Sequence, residues 1–319
     1  PFVQGIHQSF DKEKMDKSFT LIEILVVIVI IGIFSAFIIV SMSGVSQKAT
    51  IAKGQAFSNS LKNSLMLNLV SEYKFEGPTA VDGTATINDA KDTWGSNNAT
   101  AIDGNPTVKG GADCVSGKCV DFDSDWITLN QNLFPSGLGS WTVEGWFYHK
   151  DYTYPRAFCP IGDVNSYLAG NKGWQIGAGY SSGGIRVSIN DGVNLLGGFI
   201  TLEVGSRPPD MINKWCHMVI VFDRTSTETI IAYINAKKQS ATIDISALSG
   251  DIQGNTDIKI GNAVGWLLYG RADEVRMYNE IVPVAKIEQN YYSGLNKLLA
   301  NKNIEEQEYS QRINQFASN

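Results

Sequence analysis

One carboxylate, Glu23, interrupts the apolar run that extends from Phe19 to Val40. From Ile24 onward the run consists of Ile, Val, Leu and Phe apart from three small residues, and a membrane-spanning helix needs about 20 mostly apolar residues. A carboxylate inside hydrocarbon costs about 2.5–3.5 kcal/mol, so an ionisable group there is expected to have a partner and a function. The alternative is a simple membrane anchor in which Glu23 lies at the level of the lipid headgroups.

The residues from Ser18 to Glu23, Ser-Phe-Thr-Leu-Ile-Glu, resemble the N-terminus of type IV pilins and type II secretion pseudopilins. The resemblance implies that a prepilin peptidase cuts between Ser18 and Phe19 and that the new N-terminal Phe19 is methylated. It also implies that Glu23 neutralises the buried amine of Phe19 in an adjacent subunit, so that each charge makes burial of the other tolerable. The family usually has Gly before the cut, where this chain has Ser18.

Residues 1–18 form a polar leader, in which Met15 is a natural start. Lys12, Lys14 and Lys17 are expected on the cytoplasmic side of the membrane. The resemblance implies a precursor that crosses the bacterial cytoplasmic membrane once and matures into an extracellular filament or surface protein. Its implied partners are other pilin or pseudopilin subunits and the inner-membrane assembly machinery.

Residues 19–70 are predicted to form one long helix, because the apolar run passes into a pattern with a helical period. Phe57, Leu61, Leu65 and Leu69 recur every four residues, as on one face of an amphipathic helix. At 1.5 Å per residue such a helix is roughly 75 Å long. Its first half would lie in the membrane or the filament core, and its second half would contact the globular domain.

Residues 71–294 are predicted to be an all-β domain, since short alternating segments are separated by Gly, Asn and Asp turns. A hairpin is expected from residues 229–234 and 241–245, turning between Asn235 and Lys238. Residues 295–319 are predicted to form a short surface helix and a loose tail. The other expected strands are Trp141–Tyr148, Ile185–Asn190, Trp215–Asp223, Asp257–Ile260 and Ala272–Tyr278.

The order of these segments resembles the laminin-G-like branch of the concanavalin A-like jelly rolls. The most specific match is Gly270–Tyr278, Gly-Arg-Ala-Asp-Glu-Val-Arg-Met-Tyr, which is similar to the family's closing strand. Tyr73–Gly77 and Trp141–Trp146 match earlier segments in the same order. The resemblance implies a mainly β fold, a concanavalin A-like, laminin-G-like jelly-roll β-sandwich that follows the long N-terminal α-helix.

Members of this fold often hold a calcium ion between the entrance segment, Tyr73–Gly77 in this chain, and the closing strand. The resemblance therefore implies Glu76 and Asp273 as ligands here. Calcium prefers oxygen ligands such as carboxylates and carbonyls. The alternative is that Asp273 caps a strand or pairs with Arg271 or Arg276.

The four cysteines are compatible with two disulfides in an exported domain. Cys114 and Cys119 are expected to form one, because Ser-Gly between them favours a turn and an antiparallel ladder can bring them within bonding distance. Cys159 and Cys216 either form the second bond or are buried thiols in strands. Their spacing fits no zinc motif.

Glycan binding is the expected activity of the β domain. Sugars stack on exposed aromatic rings, and Tyr154, Trp174, Trp266 and Tyr269 lie in or near predicted loops. The alternative is that these rings belong to the core. A net charge of -6 argues against nucleic acid as a partner.

Catalysis is not expected. Jelly-roll glycosidases need two carboxylates at the scissile bond, and their Glu-x-Asp-x-x-Glu strand motif is absent from the sequence.

Together, the two resemblances imply a filament subunit that displays an adhesive or glycan-binding domain. The alternative is a membrane-anchored, lectin-like surface protein that does not assemble into filaments.

Overall fold

The computed structural model describes most of the β domain and a short part of the N-terminal region. The residues that it describes are 21–22, 24–32, 53, 68–130, 133, 139–150, 161–163, 170–177, 184–202, 211–254, 257–263 and 266–317. The chain divides into two compact units, Pro1–Thr50 and Ile51–Asn319.

In the N-terminal unit, residues 21–22 and 24–32 are helical. All their large apolar side chains are exposed, from 45% for Ile30 to 83% for Leu21. The exposed side chains lie on every face of the helix, whereas a helix that packs on a globular core has one apolar stripe. No helix among the described residues is both long enough and apolar enough to cross a membrane.

The second unit is built mainly from β-strands, as predicted. The first strands in chain order are β1 (Leu69–Tyr73), β2 (Ala101–Asp103), β3 (Thr107–Gly110), β4 (Lys118–Asp123), β5 (Trp126–Leu129), β6 (Trp141–His149), β7 (Ile161–Asp163), β8 (Lys172–Gly177) and β9 (Gly184–Asp191). They are followed by β10 (Leu195–Thr201), β11 (Trp215–Asp223), β12 (Thr229–Ile234), β13 (Lys237–Asp244), β14 (Ile258–Ile260), β15 (Asn262–Ala263), β16 (Trp266–Leu267) and β17 (Tyr269–Tyr278).

The described strands form two large sheets that pack face to face. The eight-stranded sheet has the order β13-β12-β11-β6-β17-β4-β3, and β1 pairs with the far end of β17. The seven-stranded sheet has the order β10-β9-β8-β7-β14-β5-β2. Strands β15 and β16 form a small separate pair.

The core lies between the two sheets because side chains alternate along each strand. On β6, for example, Trp141, Val143 and Phe147 belong to the main apolar core. Glu144 and Trp146 lie between them in sequence and therefore point to the outer face of the eight-stranded sheet.

The predicted hairpin of residues 229–245 is formed by β12 and β13, with a tighter turn than expected. Asn235 and Ala236 have φ values of 51° and 62°, the left-handed region that two-residue hairpin turns require. Ala236 takes this conformation although it lacks the freedom of glycine.

The C-terminal segment differs from its prediction. Helix α1 (Val284–Ala300) begins about ten residues earlier than expected, and helix α2 (Glu306–Ala317) replaces the loose tail. Both helices pack on the outer face of the eight-stranded sheet, where Tyr291 stacks on Trp146 with ring centroids 5.8 Å apart. Tyr309 of α2 is fully buried. The apolar side chains of this segment therefore form a second core.

Candidate functional site

The loop between Cys114 and Cys119 holds both carboxylates that were predicted to bind calcium. A disulfide joins the two cysteines, and both are fully buried. The amide of Ser116 donates to Asp273 Oδ2 at 2.9 Å, and the amide of Lys118 donates to Glu76 Oε2 at 3.2 Å. The loop therefore lies between the entrance segment and the closing strand.

Asp273 is poorly suited to a metal ion in this arrangement. The side chain is fully buried, and its second oxygen, Oδ1, accepts a hydrogen bond from the Glu274 amide at 2.7 Å. Burial and the neighbouring charge of Glu274 raise the pKa of Asp273 well above its usual range. Both carboxylate oxygens therefore already have backbone donors, which a bound ion would have to displace.

A lysine contacts two backbone carbonyl groups at the end of the entrance segment and just after it. The ammonium of Lys118 lies 2.7 Å from the carbonyl oxygen of Gly77 and 2.8 Å from that of Thr79. No three His, Cys, Asp or Glu side chains of the described residues are grouped so that they could share a metal ion. Protein donors already occupy both oxygens of Asp273, one oxygen of Glu76 and the carbonyl oxygens of Gly77 and Thr79, so few oxygens are left here to bind calcium.

We expect calcium to leave the stability of the domain unchanged. A bound ion would stabilise the folded state by about 2.7 kcal/mol at a hundred times its dissociation constant. The melting temperature of the purified chain should be equal in calcium chloride and in EDTA. A rise in melting temperature on addition of calcium to the wild-type chain would contradict this expectation.

Lys118→Met should lower the free energy of unfolding by about 1 kcal/mol, because two carbonyl groups lose their donor.

The aromatic side chains predicted to bind glycan do not form one group. Trp174 is 3% exposed and packs edge-on against Phe222 in the core, so its predicted role in binding is wrong. The reason is the alternation of β8, which directs Trp174 inward. Trp266 and Tyr269 are half-buried, and Tyr154 lies outside the described residues.

A charged and aromatic group next to Tyr269 was missed by sequence reasoning. Lys150 Nζ lies 5.4 Å from the centroid of the Tyr269 ring and 2.7 Å from Asp121 Oδ2. The Arg271 guanidinium lies 4.9 Å from the centroid of the Tyr148 ring. Because these residues lie in β4, in β17, and in or directly after β6, only strand pairing brings them together.

Below α1, the outer face of the same sheet carries a buried ionic cluster. His217 Nε2 lies 2.9 Å from Glu144 Oε1, and neither side chain is exposed. Arg276 contacts Glu72 at 2.8 Å and Glu144 at 3.6 Å, and it also pairs with Glu274. Burial works against ionisation of Glu144, but His217 and Arg276 outweigh it and lower the pKa of Glu144. Because α1 covers this ionic cluster, we infer that the cluster helps to attach α1 to the sheet.

The remaining cysteine that the structure describes, Cys216, is a free thiol buried in the main core. Burial raises the pKa of this thiol to about 12. The suggested second disulfide is therefore not formed in this structure, and Cys216 takes the other alternative, a buried thiol in a strand. Cys159 lies outside the described residues, as do Ser18, Phe19 and Glu23.

Two family models match the chain. Residues 121–288 match the concanavalin A-like lectin/glucanases superfamily, and this match covers more than half of the sequence. The chain belongs to this superfamily. Residues 14–39 match the prokaryotic N-terminal methylation motif, so the N-terminus is of the prepilin type. The superfamily match ends within α1, so most of the helical layer lies beyond it.

No curated protein matches the chain. Several solved structures are similar to it at low sequence identity. The receptor-binding domain of botulinum neurotoxin mosaic serotype C/D is 15% identical with a TM-score of 0.51, covering 72% of this chain and 51% of its own. The binding domain of Paraclostridial Mosquitocidal Protein 1 is 18% identical with a TM-score of 0.49, covering 72% and 53%. Domain 4 of AbnA, a GH43 extracellular arabinanase from Geobacillus stearothermophilus in complex with arabinotriose, is 16% identical with a TM-score of 0.48, covering 69% and 97%.

The match to the two toxin domains covers about half of their length. The likeness to the neurotoxin domain, with a TM-score of 0.51, concerns the fold alone.

Proposed function

We propose that this protein is a subunit of a type IV pilus or of a type II secretion-like pseudopilus, and that it displays a glycan-binding sandwich outside the cell. The observation that carries the proposal is the methylation motif at residues 14–39 in front of a concanavalin A-like lectin/glucanase domain. The motif supplies the means of processing and assembly. The domain supplies the surface that adheres.

In this proposal, a prepilin peptidase cuts between Ser18 and Phe19, and the amine of Phe19 is then methylated. Glu23 neutralises that amine in a neighbouring subunit, since a buried charge needs a partner. The exposed apolar side chains of residues 21–22 and 24–32 support the proposal, because a helix that is apolar all round needs apolar surroundings. The membrane supplies these surroundings before assembly, and the helices of other subunits supply them afterwards.

The glycan-binding part of the proposal is supported by membership of a superfamily whose name includes lectins. Two of the aromatic residues predicted to bind, Trp266 and Tyr269, are half-buried, so part of the surface of each remains exposed. Sugars bind rings of this kind by stacking. A catalytic role is not part of the proposal.

The test is the N-terminus of the protein recovered from the cell surface. We expect intact mass and N-terminal sequencing to give a chain that begins at N-methyl-Phe19. Glu23→Ala should abolish incorporation into filaments, because the amine of Phe19 would then be buried without a counter-charge. Glu305→Ala, which removes an exposed carboxylate between α1 and α2, is the matched control and should assemble normally.

A chain that keeps Ser18 and its leader would overturn the pilin assignment. A processed chain that is displayed equally well with and without Glu23 would favour the alternative, a membrane-anchored surface lectin that does not form filaments.

A further inference from the structure

The row of side chains across the outer face of the seven-stranded sheet has a gap at Gly162. In the strand register, Gly162 lies opposite Gln175 on one side and opposite Lys259 on the other. Trp174 and Ile176, the neighbours of Gln175 on β8, belong to the core, so Gln175 points to the outer face. Lys259 points the same way, because the flanking residues of β14 are buried in the core.

The gap is a consequence of the backbone at Gly162. This residue has a φ of 140°, which side chains rarely adopt, and a Cβ there would overlap the Gln175 backbone at 2.5 Å. Two strand spacings separate Gln175 from Lys259, roughly 9–10 Å, and Gly162 contributes no side chain between them. Glycine inside a strand often marks a place where a ligand or another backbone approaches closely.

One wall of the gap carries an unsatisfied hydrogen-bond acceptor. Gln175 is only 6% exposed, and its Oε1 has no hydrogen-bond partner in the structure. Buried acceptors are normally paired, because an unpaired one has lost its water without compensation. The side-chain amide oxygen of Gln175, Oε1, is therefore available to accept a hydrogen bond from a hydroxyl group.

The other wall carries a cation and an indole. Lys259 Nζ lies 4.6 Å from the centroid of the Trp126 ring, which holds the side chain in place. No carboxylate of the described residues forms an ion pair with Lys259, and Trp126 Nε1 is buried without an acceptor. This wall therefore offers a charged donor and a neutral donor.

We propose that the Gly162 gap binds a sugar residue that carries a carboxylate. The carboxylate would accept from Lys259 and Trp126, and a ring hydroxyl would donate to Gln175. This assignment rests on the proposed glycan-binding function and specifies the ligand class and the site. It needs neither a metal ion nor the aromatic residues near β16 and β17.

The test uses soluble oligosaccharides that contain glucuronate, galacturonate or sialate, with neutral oligosaccharides of glucose and galactose for comparison. Binding to the processed full-length chain in detergent is followed by tryptophan fluorescence and calorimetry. We expect an acidic oligosaccharide to bind about tenfold more tightly than its neutral counterpart, since charge-assisted hydrogen bonds are the stronger ones.

Lys259→Met and Gln175→Leu should each weaken binding by about tenfold. Lys259→Met keeps the aliphatic stem over Trp126, so the local packing should be retained. The matched control is Arg186→Met, which removes an exposed cation from β9 of the same sheet and should bind like the wild type. Circular dichroism of each variant separates a loss of binding from a loss of folding.

Equal binding of acidic and neutral sugars, or full binding by both gap variants, would overturn this site while glycan binding itself stood. If no oligosaccharide of either kind binds, the glycan-binding part of the proposed function fails as well. The N-terminal processing result would be unaffected in both cases.

Discussion

Arg276→Met should lower the free energy of unfolding of the β domain by about 3–5 kcal/mol. Arg276 is 14% exposed and pairs with Glu72, Glu144 and Glu274 on the sheet face below α1. Removing the cation leaves buried carboxylates without their main counter-charge, which is far more costly than losing an exposed pair. Chemical denaturation of the full chain, followed by tryptophan fluorescence, measures the change.

The pH dependence of stability should also change sign in this variant. In the wild type, burial works against ionisation of Glu144 and Glu274, but their partners outweigh it and hold both pKa values below the ordinary 4.5. Their contribution is present above pH 4.5 and is lost as pH falls through the folded-state values. Without Arg276, burial should raise these values above 4.5, so the variant should gain stability as pH falls from 7 towards 5.

The matched control for Arg276 is Lys109→Met, which removes one partner of an exposed pair with Asp82. This change should cost less than about 1 kcal/mol. Similar losses in the two variants would show that the buried cluster does not stabilise the domain more than a surface pair does.

Gly294→Leu should destabilise the domain by about 3 kcal/mol, because it prevents α1 from approaching the sheet. A Cβ at Gly294 would overlap the ring of Trp146, which is buried between the sheet and Tyr291. The ring has little room to move away, since it is 1% exposed, stacks on Tyr291 and contacts the tilted ring of His217 at a centroid distance of 5.1 Å. The expected results are a lower melting temperature and faster proteolysis of α1 and α2.

Ala300→Leu is the control for this helix, because Ala300 lies at the exposed end of α1 and its new side chain would meet solvent. It should change stability by less than about 0.5 kcal/mol. A Gly294→Leu variant as stable as this control would mean that α1 does not depend on close contact with Trp146.

The features that the sequence determined are those carried by neighbouring residues. The methylation motif lies within residues 14–39, and the strongly apolar strand Trp215–Asp223 extends over nine residues. The hairpin of β12 and β13 could be predicted for the same reason, because a short turn joins its strands. Such patterns depend on local backbone preference and on the period of apolar residues.

The tertiary structure decided which side chains meet and which face of each strand is buried. The strand β8 is absent from the sequence-based prediction, which places Trp174 in or near a loop, whereas pairing with β7 and β9 directs this side chain into the core. Lys118 reaches the carbonyl groups of Gly77 and Thr79 from about 40 residues away in sequence.

The Gly162 gap depends on tertiary structure in the same way. It exists only because β7 pairs with β8 on one side and with β14, almost a hundred residues later, on the other. Contacts between such distant segments are set by the packing of the two sheets as a whole, and no local pattern in the sequence encodes them.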